Sequence, residues 1–304
     1  MSRSEQSATR PGPVRRALAL LAELTKVRIT IMVTLTTVTG FLLGPAAAWG
    51  ESLLWALLGT FVLSAGASAL NHVQDARVDA RMKRTAQRPI PGGRISRAGA
   101  LYLAVLLSLG GLALLASIPQ HGNLAALLGV AALLCYNAVY TPLKRVTAFA
   151  VIPGAVIGAL PPLIGFVAAG GSLLDPYIGL VAVFFFLWQV PHFWLLLLMF
   201  GEQYTDAGLP SLSTKLGRER LARLTALWSL STAVAGVAVA VAAFSPLAPV
   251  LQVVLIVASV WLALRSLRLL GSAPLQRGDA GRAFGRINVY ALVMMACLSS
   301  SALF

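Results

Sequence analysis

The chain reads as a succession of long apolar runs, each closed by charged residues, glycine or proline. Runs close to the roughly 20 residues needed to cross a bilayer's hydrocarbon layer predict helices. Nine are expected, at approximately 27–47, 52–72, 98–118, 122–141, 149–170, 176–200, 219–243, 246–268 and 284–303. The connections alternate in character. Those near 44–52, 118–123, 170–176 and 243–249 contain no lysine or arginine, while the others are rich in both. The connections at 73–97 and 201–218 are long and polar, so function is expected on their side.

Composition agrees with the pattern. Of 304 residues, 58% are hydrophobic and 11% charged, against roughly 25% charged in soluble domains, and the mean hydropathy is +0.82. A soluble core could not absorb so much apolar surface. A net charge of +14 would point to nucleic acid in a soluble protein, but here all 24 basic residues fall on the same side of the predicted spans. Nucleic acid is therefore not an expected partner; the lipid bilayer is. By the positive-inside rule that face and the N-terminus are cytoplasmic. Residues 1–20 are expected to form a short disordered cytoplasmic tail without a secretory signal, and residues 21–304 a single transmembrane domain. Cys135 and Cys297 lie in apolar runs without CxxC spacing, so neither a disulfide framework nor a thiolate metal site is suggested and both read as small apolar side chains.

Where the second predicted helix leaves the membrane, Asn71, Asp75 and Asp79 recur every four residues. If the helix continues, they line one face as a ladder of oxygen ligands. Carboxylates so placed at a membrane boundary repel one another unless a cation lies between them, and a divalent ion is the simplest one. Mg2+ is typically held by one or two carboxylates together with substrate phosphates. Nearby Arg77, Arg81, Lys83, Arg84 and Arg88 could meet phosphate oxygens left uncovered by the metal. Against this stands a plainer reading, in which the basic residues only obey the positive-inside rule and the acids pair with Lys83 or arginine neighbours along the helix.

A second pair of acids four apart, Glu202 and Asp206, flanks Tyr204 after the sixth helix. It is equally well read as a solvated helix end before Gly208 and Pro210. Within the sixth span, His192 is unusual, because ionisable residues there are rare and tend to face a cavity. Gln189 and Pro191 beside it predict a polar, locally broken helix, and Pro161 and Pro162 predict an interruption of the fifth.

The stretch Asn71–Pro89, reading N-x-x-x-D-x-x-x-D-x-x-M-x-R-T-x-x-R-P, resembles the UbiA-type prenyltransferases, and within them the heme O synthase subfamily. Tyr140–Thr147, Pro161–Gly165, Trp188–Trp194 and Ala207–Pro210 resemble the same subfamily in the same order, so the likeness spans most of the chain. It implies nine transmembrane helices around a central cavity, with Mg2+, farnesyl diphosphate and heme b as cofactor and substrates, at the cytoplasmic face of a bacterial inner membrane. Asn71, Asp75 and Asp79 are then the first metal-diphosphate motif, Arg84, Arg88, Lys144 and Arg145 hold the diphosphate, and His192 lies near the porphyrin. This chain departs from the family at Glu202-Gln203-Tyr204, where Asp-Asp-Tyr is usual, and at Ala150, where Asn is expected. The second metal position is thereby left open between Glu202 and Asp206.

Two rivals stay open on sequence grounds. One is a prenyltransferase with another acceptor, an aromatic acid, quinone precursor or chlorophyllide, since the ladder reports the donor. The other is a non-catalytic heme or lipid carrier or transporter, which broken helices and an intramembrane His also permit. Oligomeric state and prenyl chain length are not legible.

Overall fold

The computed structural model describes residues 12–45, 50–242, 249–271 and 277–300. Every regular element among them is helical. The first, α1 (Pro13–Leu24), corrects the expectation of a disordered tail through residue 20; residues 1–11 lie outside the described part. Val14, Leu18 and Leu21 form an exposed apolar stripe along it, away from Arg15 and Arg16. At 12 residues it is too short to span a bilayer.

Lys26, with φ 48° and ψ 50°, turns the chain from α1 into α2 (Val27–Leu42). Next come α3 (Glu51–Asp79), α4 (Arg97–Ala116), α5 (Gly122–Leu143), α6 (Val151–Ala168) and α7 (Pro176–Asp206). The short α8 (Leu212–Leu216) leads to α9 (Arg218–Ala242), α10 (Pro249–Leu267) and α11 (Arg277–Ser300). Among the described residues, eight helices are long and apolar enough to cross a membrane, which makes this a multi-pass membrane protein. The ninth expected span is α2, which at 16 residues is shorter because Leu43-Gly44-Pro45 ends it.

The helices meet at small residues, as expected where lipid tails provide no hydrophobic drive for association. A Cβ on Gly40 of α2 would lie 1.9 Å from the Pro162 carbonyl oxygen, and one on Gly165 of α6 would lie 1.9 Å from that of Thr37. Only glycine permits this mutual approach of α2 and α6. Pro161 and Pro162 do not interrupt α6, contrary to expectation; the regular helix breaks earlier, at Ala155, and Pro191 likewise lies inside continuous α7. Such prolines are tolerated because neighbouring helices and local adjustments satisfy the freed carbonyls.

Two helices outrun the bilayer. With 29 and 31 residues, α3 and α7 are about 43 and 46 Å long, against a hydrocarbon thickness of about 30 Å. Three spans separate them, so both run the same way and their C-terminal ends emerge on one face. Tyr177 and Ile178 backbone N–H groups donate to Asp175 Oδ1, fixing the start of α7 at the opposite face.

Candidate active site

The second predicted helix continues past residue 72 to Asp79, and this extension places the ladder. Asn71, Asp75 and Asp79 are 3%, 5% and 4% exposed. They are tied to one another and to distant elements. Asn71 Nδ2 donates to Asp75 Oδ2 at 2.9 Å and to Thr141 Oγ1 on α5 at 3.1 Å. The neighbour-pairing alternative fails at both acids. Asp75 receives Lys144 Nζ on Oδ2 and Arg145 Nη2 on Oδ1. Asp79 accepts from Arg88 Nη1 through both oxygens, at 2.8 and 2.9 Å.

Lys26 completes the cluster, and the sequence reading missed it. Its Nζ donates to Asn71 Oδ1 at 2.6 Å and to the Tyr136 hydroxyl at 3.1 Å. A non-glycine residue in the left-handed region costs about 1–3 kcal/mol and persists only where its surroundings over-determine it. Here the two hydrogen bonds do so. Burial, with the Arg88 charge adding to it, lowers the Lys26 pKa to about 8, while Asp75 and Asp79 oppose the shift. In sequence Lys26 is one of 24 basic residues, all flanking predicted spans, so no local signal marks it.

The other cations come from just past the C-terminal end of α5, at Lys144 and Arg145, and from the segment after α3. In α5 the backbone widens to a π-helix over Leu134–Tyr140 before closing again at Thr141–Leu143. Such insertions concentrate at functional sites. This one carries Tyr136, Asn137 and Tyr140. Asn137 Nδ2 donates to the Ala67 carbonyl and to Gln74 Oε1, while Gln74 Nε2 donates to the Asn137 carbonyl, clamping α5 to α3. Lys26 and Lys144 stand over the rings of Tyr136 and Tyr140, at 5.7 and 5.6 Å.

Three cationic side chains thus pair with the two carboxylates and a fourth, Lys26, with the amide oxygen of Asn71 between them, leaving surplus positive charge for a polyanion. Among the described residues no cluster of three or more His, Cys, Asp or Glu could hold a metal by itself. Two carboxylates and an amide oxygen suit an ion that takes its remaining ligands from substrate phosphates and water, as Mg2+ does.

The end of α7 and the segment after α3 enclose a cleft of about 490 Å3, lined by Arg81, Lys83, Phe200, Glu202, Gln203 and Asp206. Glu202 and Asp206 are exposed, whereas the buried Gln203 Oε1 accepts no hydrogen bond. The inward oxygen of this segment therefore belongs to Gln203, which the sequence reading did not select. Tyr204 is half-buried beside the core. Arg84 rests over the Phe200 ring at 5.6 Å and so bridges the loop to α7. Ala150 is buried at 2%.

His192 lies deeper in the same helix. Its Nδ1 is 2.9 Å from Asn288 Oδ1 on α11, and its ring stands 4.8 Å from those of Trp188 and Phe284.

Comparison with known proteins gives one answer. Residues 33–277 match the model of the UbiA prenyltransferase family. A protoheme IX farnesyltransferase of Oleidesulfovibrio alaskensis is 42% identical over 220 residues, 72% of this chain and 76% of that protein. Among solved structures, a digeranylgeranylglyceryl phosphate synthase superposes with a TM-score of 0.74 at 16% identity, covering 94% of this chain and 98% of that one. A UbiA homolog from Archaeoglobus fulgidus bound to GPP and Mg2+ gives a TM-score of 0.66 at 16% identity, covering 94% and 100%.

Proposed function

The chain belongs to the UbiA prenyltransferase family, and from that premise we propose that it transfers a farnesyl group from farnesyl diphosphate to a vinyl carbon of heme b, giving heme O and diphosphate. The protoheme IX farnesyltransferases similar to it support this acceptor. One observation carries the donor: four cations converge on the buried ladder Asn71-Asp75-Asp79 where α3 leaves the membrane, three on its carboxylates and Lys26 on its amide.

Mg2+ is the metal we assign, held by Asp75 and Asp79 with Asn71; when bound it offsets charge on the leaving diphosphate. Arg88, Lys144, Arg145 and Lys26 turn from the ladder toward the phosphate oxygens, and Arg84 closes over them from its place on Phe200. Preorganised charge of this kind stabilises a leaving group better than water does, because it needs no reorganisation during reaction. The C–O bond of the allylic diphosphate breaks, C1 of the farnesyl cation bonds to the vinyl carbon, and water then adds to the heme-derived cation and loses a proton. Tyr136 and Tyr140 present ring faces beside the cationic groups and shield the allylic cation from bulk water. The active site faces the cytoplasm of a bacterial inner membrane in this reading, because the basic ends of the helices lie there.

Mass spectrometry of hemes from cells that otherwise make only heme b tests the proposal. Expression of this chain should produce heme O. Correctly inserted protein that yields none, or that prenylates an aromatic acid instead, overturns it.

A further inference from the structure

The hydrogen bonds around His192 fix its tautomer. Asn288 Nδ2 donates to the Phe284 carbonyl at 2.6 Å, so the amide nitrogen must occupy that side. The Asn288 oxygen then faces His192 Nδ1 at 2.9 Å. An amide oxygen cannot donate, so Nδ1 carries the proton and the neutral ring has a bare lone pair on Nε2. Among the described residues Nε2 has no hydrogen-bond partner. The ring is also held in place, between Trp188 and Phe284 at 4.8 Å each, and Trp188 Nε1 is itself bound to the Ile287 carbonyl at 3.0 Å.

An oriented imidazole, with one nitrogen anchored to an oxygen and the other unspent, is the arrangement of a metal-ligating histidine. A continuous run of rings joins it to the diphosphate site. Phe193 is 5.7 Å from His192 and 5.7 Å from Tyr140, which stacks on Tyr136 at 6.1 Å.

We infer that His192 binds the iron of the porphyrin acceptor through Nε2, and that Asn288 is the positioning residue that holds it in the ligating tautomer. This rests on heme b as the acceptor. It makes acceptor choice depend on the iron as well as on the porphyrin, and it sets the vinyl edge relative to the donor.

The test is titration of the purified full-length protein with heme b and, separately, with metal-free protoporphyrin IX, followed by absorption and electron paramagnetic resonance. Wild type should bind heme b at least about tenfold more tightly than the metal-free ring and show an imidazole-ligated iron spectrum. His192→Ala should lose both the preference and the signature, and added imidazole should restore the signature. Asn288→Leu should weaken heme binding by about 10- to 100-fold while metal-free porphyrin binding changes little. Asn288→Asp, which gives the imidazole a charged partner, should lower the reduction potential of the bound iron; a merely structural residue would not move it. A farnesyl diphosphate-induced thermal shift in each variant verifies folding, and should His192→Ala fail there, the two Asn288 variants decide. Heme O formation with spectrum and affinity unchanged by these substitutions sinks the iron ligand alone. Absence of both heme O and iron-selective binding in wild type sinks the acceptor reading, and the ligand with it.

Discussion

Both carboxylate oxygens of Asp79 accept from the same guanidinium nitrogen of Arg88, at 2.8 and 2.9 Å, nine residues along the chain. The side chains are 5% and 24% exposed. Removing one partner of a buried pair strands the other's charge, at about 3 kcal/mol. Arg88→Ala should therefore lower the thermal midpoint in detergent, and Mg2+ should recover more stability in the variant than in wild type, because the metal can replace the lost cation. Equal responses to Mg2+ in the two proteins would count against Asp79 as a metal ligand.

Asp75 is held by two cations just past the end of α5, Lys144 and Arg145, 69 and 70 residues away. Asp75→Ala should cut farnesyl transfer by about 100-fold or more, with the protein still inserted. Diphosphate release and membrane fractionation on the same preparation check it; full turnover refutes the assignment.

Lys26, with its pKa near 8, couples two opposite pH effects. Its folded pKa lies below the unfolded one, so the folded state is penalised for holding that proton below pH 8. The penalty disappears as pH rises from about 8 toward 10.5, and stability from this group rises over that window. In the proposed site the diphosphate takes up that charge, so kcat/KM should fall above about pH 8, approaching tenfold per unit. Lys26→Arg should flatten that limb, since arginine stays protonated. A profile of kcat/KM that is the same in both proteins would remove Lys26 from the diphosphate site.

Arg84 depends on the Phe200 ring for its position. A cation–π contact of this kind contributes about 0.5–1 kcal/mol. Phe200→Leu should raise KM for farnesyl diphosphate by about 2- to 5-fold with little change in kcat, as steady-state kinetics would show. An unchanged KM would leave Arg84 without a part in binding.

Gly165 meets the Thr37 carbonyl where α2 and α6 cross. Gly165→Val must push the helices apart, at about 1–3 kcal/mol. The expected signature is a lower unfolding midpoint; an unaltered one would mean that α2 and α6 pack less closely than described.

The sequence by itself determined the helical membrane class, most of the spans, and the four-residue ladder Asn71-Asp75-Asp79, because hydrophobic run length and side-chain periodicity are local properties. It also made the family legible through motifs spread along the chain. It could not say which of many basic residues serve the site, since every lysine and arginine on one face satisfies the same topological rule. Only the packed bundle decided that Lys26, 45 residues from Asn71, belongs to the cluster, and that Arg84 stands on Phe200. The same holds for α5, whose π-turn brings Tyr136 and Lys144 to the ladder, and for Gln203, whose oxygen turns inward where Glu202 and Asp206 stay exposed. Charge pairing, burial and tautomer are set by distances between segments remote in sequence, and those distances exist only once the helices have packed.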